Sequence, residues 1–523
     1  MHDPLLLDGA HLTVADVVAV ARDHRRVGIH ADARAEMQRS YAWVAEAGRG
    51  DRPIYGVNTG FGSLARVRIP AEHRARLSVN LVRSHAAGVG RPLPCDAVRA
   101  MLLLRANALA RGASGCRPLL VERILDLLNA DLVPVVPEQG SCGSSGDLAP
   151  LAHLGLVLIG DPEGEAWWRG QRVSAPEGLA AAGIPALALE AKDGLAITNG
   201  AQLTTALAAL ACHDAERVVL AAEVAAALSI EALRGATRAF HPAVHALRPY
   251  PGAISTAADL RALLAGSRLV DSVPGKVQDA YSLRCTPPVL GACRDALAFA
   301  QGQVAIELNA VTDNPIILVD CDGEDKAFSA GLFHGEPVGI AMDVLKIAVA
   351  EVASLAERRL YRLTTGTLSA RLPPGLARHD RPELGMMLPQ TTAAALVSEN
   401  KGLCWPASVD SIPTCEDQED HVAMSTTAAR RAHSVVANAR LVIAIELLGA
   451  SAALAFRREE APEATLGAGT AIALSRVEEA LSALPADRLP SDAIQALDAL
   501  VRSGALERDL GLTAIGAPLE RAS

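Results

Sequence analysis

The chain has 523 residues, 50% of them hydrophobic but only 3% aromatic, and a formal charge of -10. That length buries a sizeable core, and the alanine- and leucine-rich, aromatic-poor content favours close-packed helices over a β-sandwich, so a mainly α fold is expected. No basic stretch is interleaved with aromatics, which argues against a nucleic-acid partner and for a small-molecule one; the nine cysteines form no CxxC pair and read as reduced cytoplasmic thiols.

The first residues, Met1-His2-Asp3-Pro4, lack a basic region followed by an apolar core, so no signal peptide is expected. Residues 1–54 read as short amphipathic helices, 14–22 and 33–47 among them, closed by a turn at 48–53. The string YGVNTGFG (55–62) carries three glycines and reads as a mobile loop of the kind that holds function. Taken alone, Tyr55 in such a loop is a surface aromatic. Ser84 and His85, in NLVRSHAAGVG (80–90), precede small residues, the usual setting of a core histidine. A helix over 119–129 and an extended connection through Pro134 and Pro137 lead into GSCGSSGDLAPLAH, residues 140–153.

Here Gly140 and Gly143 let the backbone fold tightly, and Asp147 and Pro150 spell a helix start. That arrangement suits a condensation of the Gly146 amide nitrogen onto the Ser144 carbonyl carbon. Loss of water closes a five-membered ring, and loss of the Ser145 hydroxyl leaves an exocyclic methylene. The product, 4-methylidene-imidazol-5-one, is an electrophile made from the chain alone, with no external cofactor and no metal. A helix N-terminus beside it would stabilise negative charge delocalised onto the ring.

A peripheral hairpin is expected over 167–173, turning at Gly170. Beyond it the pattern is helical, with long segments near 201–234, 291–309, 339–363, 391–403 and 424–456 and shorter ones at 474–484 and 493–502. The longest apolar stretch, 218–233, is interrupted by Glu223 and Glu231 and reads as a buried helix, so no membrane partner is expected. Asn199, in ITNGAQ, reads as the N-cap of the first long helix. ELNAVTDNP (307–315) is expected to end a helix at Asn314 and Pro315. His241 and His245 read as surface histidines, and no P-loop or dinucleotide fingerprint occurs. The division expected is an N-terminal domain, 1–198, carrying the ring-forming loop, and a long antiparallel helix bundle, 199–523, ending in short helices.

The 140–153 string resembles the signature of the aromatic amino-acid ammonia-lyase family, GS-x-GASGDLAPLAH, with Ser144 in place of the usual alanine, and further family strings follow in order from Tyr55 to Met424. The resemblance implies the methylidene-imidazolone cofactor from Ser144, Ser145 and Gly146, and a homotetramer whose sites combine residues of three subunits. It implies that Tyr55 sits on a lid and takes the substrate β-proton. Because free tyrosine has a pKa of ~10, convergent positive charge and helix N-termini are expected to lower it. Ser84 and His85 fall where the family reads the substrate side chain, and Ser-His there is the histidine-lyase pattern. Asn199 would bond the carboxylate region beside the ring. In KVQDAYSLRC, Arg284 offers a planar fork to an α-carboxylate, Tyr281 stands near the leaving amine, and Gln278 orients the substrate. Phe333 would wall the pocket. Gln418 and Glu419 would line the site, with Glu419 facing ring and amine.

Two further positions depart from the family spelling. Leu332 replaces an asparagine in GLFHGEPV, where a buried amide is expected, and Asp417 replaces an asparagine, where its charge is expected to raise the pKa of Glu419. The activity implied is elimination of ammonia from L-histidine to trans-urocanate, a carbon-nitrogen lyase reaction. A tyrosine ammonia-lyase or 2,3-aminomutase is the nearest alternative, and a non-catalytic binding or assembly homologue is the alternative from another class.

Overall fold

The computed structural model describes residues 3–62, 65–190, 192–378, 384–485 and 488–517. Among them are eighteen α-helices and nine strands of two to four residues, so the fold is mainly α as expected. The long helices fall where periodicity places them, with ends moved by a few residues: Gln202–Ala232, Thr286–Glu307, Glu336–Thr364, Met387–Leu403 and Ser425–Glu460. The hairpin is also found, Glu165–Trp168 pairing antiparallel with Gln171–Ser174 around Gly170. A short parallel pair, Leu5–Leu7 with Val27–Ile29, was not anticipated.

The chain forms two compact units built from separated stretches: Met1–His213, Gln301–Asp343 and Pro406–Arg430 in the first, Asp214–Ala300, Val344–Trp405 and Arg431–Ser523 in the second. The single boundary drawn between 198 and 199 is a different partition. Contacts between segments distant in sequence define these units, and local composition does not record them.

Within the first unit, Cys95–Ala110 is buried along almost its whole length. A helix apolar on all sides must lie inside a core, and its arginines are kept there by hydrogen bonds from each guanidinium nitrogen. Arg105 Nε donates to Ala196 O at 2.8 Å and Nη1 to Gln202 Oε1 at 2.9 Å. This one side chain joins the end of Asp193–Thr198 to the start of Gln202–Ala232, and so fixes the short connection that holds Asn199. The expected helix end at Asn314 is not found, because Thr286–Glu307 stops at Glu307. Asp313 is instead drawn inward by the buried Lys192, whose Nζ lies 3.4 Å from Asp313 Oδ1 and also donates to Asn314 O.

Within the second unit, Glu446 lies on Ser425–Glu460 with no exposed surface and accepts from Arg359 Nε at 2.5 Å, Arg359 Nη2 at 2.8 Å and Ser229 Oγ at 2.7 Å. Three long helices meet at this carboxylate. Ser425–Glu460 is long and apolar enough to span a membrane by length and composition, yet 67% of its most apolar window is buried inside the protein. With a buried ion pair on one face it serves as a core helix.

Candidate active site

The tripeptide sits at a turn that tolerates no side chain at its third position. Gly146 has φ +72°, and a Cβ there would collide with the main chain of Gly200, with which Gly146 forms a parallel bridge. Left-handed backbone and so close a neighbour both require glycine. Ser144 is 4% exposed and its Oγ accepts from Ala423 N at 3.2 Å, so the hydroxyl that departs from the family spelling has a partner.

Asp147, expected as an acid in the first turn of a helix, takes the N-cap position of Leu148–Leu158, but its side chain makes no capping hydrogen bond. Its carboxylate accepts from Thr204 N at 2.8 Å, Thr204 Oγ1 at 3.0 Å, Ser141 Oγ at 2.8 Å and Thr426 Oγ1 at 2.8 Å. Burial pushes its pKa up, and these four bonds pull against that shift. Its own N–H donates to Gly200 O at 2.6 Å. The loop is thereby pinned on both sides of Gly146.

Asn199 ends Asp193–Thr198 as its C-cap, while the next helix begins at Gln202, so the N-cap role expected for it is not the one it has. Its Nδ2 donates to Ser145 O at 2.8 Å, and its Oδ1 is buried with no partner among the described residues. On the opposite side, Ser145 Oγ is hydrogen-bonded to Glu419 Oε1, and Thr414 Oγ1 donates to Glu419 Oε2 at 2.5 Å.

Tyr55 and His85 both lie within the electrostatic reach of Glu419. Tyr55 packs edge-on against Phe61, with centroids 6.4 Å apart, and its Oη accepts from Gly62 N at 3.2 Å. Burial pushes the phenol above its ordinary value, the Gly62 N–H opposes this, and Cys415 and Glu419 add to it. The expected lowering by positive charge is therefore not produced by these neighbours, which are acidic. His85 closes the helix Ala71–His85 and its Nδ1 lies 3.0 Å from Ser84 Oγ. Burial pushes the imidazole down, against the Leu81 main chain and the charge of Glu419.

Phe333 is half-buried beside His334, whose Nε2 lies 3.2 Å from His421 O. Leu332 is 55% exposed, so the buried-amide position expected there is not buried in the chain. Asp417 and Gln418 lie exposed on the loop that carries Glu419. Gln278, Tyr281 and Arg284 belong to the second unit. Tyr281 is 70% exposed, Gln278 is exposed, and the Arg284 guanidinium stacks 4.9 Å from the Tyr281 ring with a buried Nε that has no partner among the described residues.

Sequence reasoning did not find Arg105, Thr204, Thr414 and Thr426. Arg105, Thr426 and Thr204 act through contacts 91, 279 and 57 residues away, whereas the five-residue spacing of Thr414 from Glu419 is a readable turn. The residues present fit a methylidene-imidazolone: a left-handed glycine without room for Cβ, a donor on Ser145 O, and a carboxyl group on the hydroxyl to be lost.

The aromatic amino acid lyase family matches residues 12–479. The histidine ammonia-lyase of Symbiobacterium thermophilum is 48% identical, covering 98% of this chain and 99% of the relative. That of Anaeromyxobacter sp. strain K is also 48% identical, over 97% of this chain and all of the relative. Among solved structures, histidine ammonia-lyase from Trypanosoma cruzi superposes with a TM-score of 0.89 at 37% identity, covering 100% of both chains. Tyrosine aminomutase from Streptomyces globisporus superposes with 0.90 at 35% identity, over 98% of this chain and 100% of the other. With the left-handed Gly146 turn in place and these likenesses running the length of the sequence, the chain belongs to the aromatic amino acid lyase family.

Proposed function

We propose that this chain eliminates ammonia from L-histidine to give trans-urocanate. The observation that carries the reading is the 2.8 Å hydrogen bond from Asn199 Nδ2 to Ser145 O, set at a turn that only glycine can complete. Ser144, Ser145 and Gly146 would form a 4-methylidene-imidazol-5-one, held by Asn199 at Ser145 O, and that group would supply an electrophile toward the substrate amine. Asn199 stabilises negative charge drawn onto Ser145 O, as preorganised donors do in a dry site. Tyr55 removes the β-proton. His85, steadied by Ser84, and Glu419 hold the imidazole, with Phe333 as a wall and Gln418 at the rim. The full-length likeness to histidine ammonia-lyases supports imidazole as the side chain read.

Arg284 supplies the fork for the α-carboxylate, Tyr281 stands by the amine and Gln278 orients the substrate. The exposure of Gln278 and Tyr281 in a single chain, together with exposed Val277, Trp405 and Val409, suits a homotetramer whose sites are completed by other subunits. Positive charge brought by such subunits would also lower the Tyr55 phenol. No disulfide joins the described cysteines, in keeping with a reducing, cytoplasmic setting.

The likeness to tyrosine aminomutase favours a second reading, in which ammonia returns to the β-carbon. Incubation of the purified chain with L-histidine, L-tyrosine and L-phenylalanine separates the two by product. Ammonia and trans-urocanate from histidine are expected. A β-amino acid from tyrosine would replace this reading with the mutase, and an inert protein with an unmodified tripeptide would leave a binding homologue.

A further inference from the structure

We infer that Glu419 is also a catalytic residue of the chain's own maturation, the proton donor for loss of the Ser145 hydroxyl. The inference rests on the proposed ring, and concerns how it forms. Glu419 Oε1 touches Ser145 Oγ, the atom that must leave. Its other oxygen, Oε2, accepts the Thr414 hydroxyl at 2.5 Å, and the main chains of Thr414 and Glu419 pair in both directions, at 3.1 and 3.3 Å. In the acid form this leaves Oε1 as the oxygen that carries the proton, aimed at Ser145 Oγ. Asp147, buried at the turn, is spent on four hydrogen bonds from Ser141, Thr204 and Thr426 and holds the loop.

The steps balance as follows. Gly146 N bonds to the Ser144 carbonyl carbon, and that carbonyl oxygen departs as water with the Gly146 and Ser145 amide protons, leaving a carbon-nitrogen double bond. The Ser145 Cα–H is then acidified by the new ring and gives its proton to solvent water. Its electron pair forms the Cα–Cβ double bond as the Cβ–Oγ bond breaks. Glu419 protonates the leaving oxygen, a second water departs, and solvent returns a proton to the carboxylate. A general acid at this position speeds such a step by about 10²–10⁴-fold.

The test is the mass of the 140–150 peptide, followed in time after synthesis, in the full-length chain and in Glu419→Gln and Thr414→Val. The unaltered chain should lose two waters. Glu419→Gln should lose the first water and retain the second about 10²-fold longer, with Thr414→Val in between and acetate restoring the second loss in Glu419→Ala. Far-UV circular dichroism establishes that each variant is folded, and Thr414→Val decides the matter if Glu419→Gln is not. Loss of both waters at the unaltered rate in a folded Glu419→Gln, or in Thr414→Val where that variant decides, would overturn the inference while leaving the ring standing. Retention of both waters by the unaltered chain would remove the proposed ring itself.

Discussion

Asn199 donates to Ser145 O at 2.8 Å while its own Oδ1 stays buried without a partner among the described residues. An idle buried acceptor costs about 1–3 kcal/mol, and it is an acceptor that a substrate ammonium could use. Asn199→Ala should therefore lower kcat/KM for L-histidine by about 10²–10³, the effect of removing one such donor, with little change in Tm. Steady-state release of trans-urocanate measures this. Unchanged turnover would reduce Asn199 to a helix cap.

Gly146→Ala asks a left-handed residue to carry a Cβ where Gly200 already stands. The backbone must shift, which separates Gly146 N from the Ser144 carbonyl. The expected result is a folded protein whose 140–150 peptide keeps both waters and whose lyase activity is lost. Peptide mass reads the outcome directly, and a fully dehydrated tripeptide in this variant would contradict the role given to the Gly200 contact.

Ser144→Ala restores the usual family residue and removes the acceptor for Ala423 N. Ring closure uses the Ser144 carbonyl and leaves its side chain alone, so maturation and kcat should be unchanged. Stability should fall by about 1 kcal/mol, the net worth of one hydrogen bond. Denaturant unfolding monitored by circular dichroism gives that difference.

The fold class was legible because Ala- and Leu-rich helices write their period into the sequence at every turn. The long helix near 201–234 and the hairpin at Gly170 needed only local pattern. Asn199 was misplaced by a local rule: an asparagine before an apolar run reads as an N-cap, but Arg105 ties Ala196 to Gln202 and makes Asn199 the end of the preceding short helix. Asp147 does stand at the start of a helix, as read, but its side-chain partners Thr204 and Thr426 are 57 and 279 residues away and left no local signal. Composition could not foretell the environment of Tyr55 either, since Glu419 and Cys415 reach it from a distant loop.

The Tyr55 environment sets a pH dependence. Burial raises the phenol's pKa, so the neutral form is favoured and the phenolate that removes the β-proton is scarcer than in free tyrosine. At a pKa of ~10 the phenolate is about one part in a thousand at pH 7, and a raised pKa makes it rarer still. If no other subunit supplies positive charge, kcat/KM should climb about tenfold per pH unit from neutral pH upward, and Tyr55→Phe should abolish it. A profile already level at pH 8 would mean that assembly lowers the phenol.

Arg359 and Glu446 have no exposed surface, and the pair is completed by Ser229. Removing one ion leaves the other uncompensated in a medium that cannot solvate it, which costs about 3–5 kcal/mol. Replacing both by apolar groups of similar volume removes desolvation and attraction together. Glu446→Leu and Arg359→Met should each destabilise by that amount, whereas the double variant should lie closer to the unaltered chain than either. Equilibrium unfolding of the three variants supplies the double-mutant cycle, and its coupling energy should be large. Strictly additive losses would mean that the long helices of this unit are held by their apolar faces alone, with the ion pair adding nothing to the choice of register.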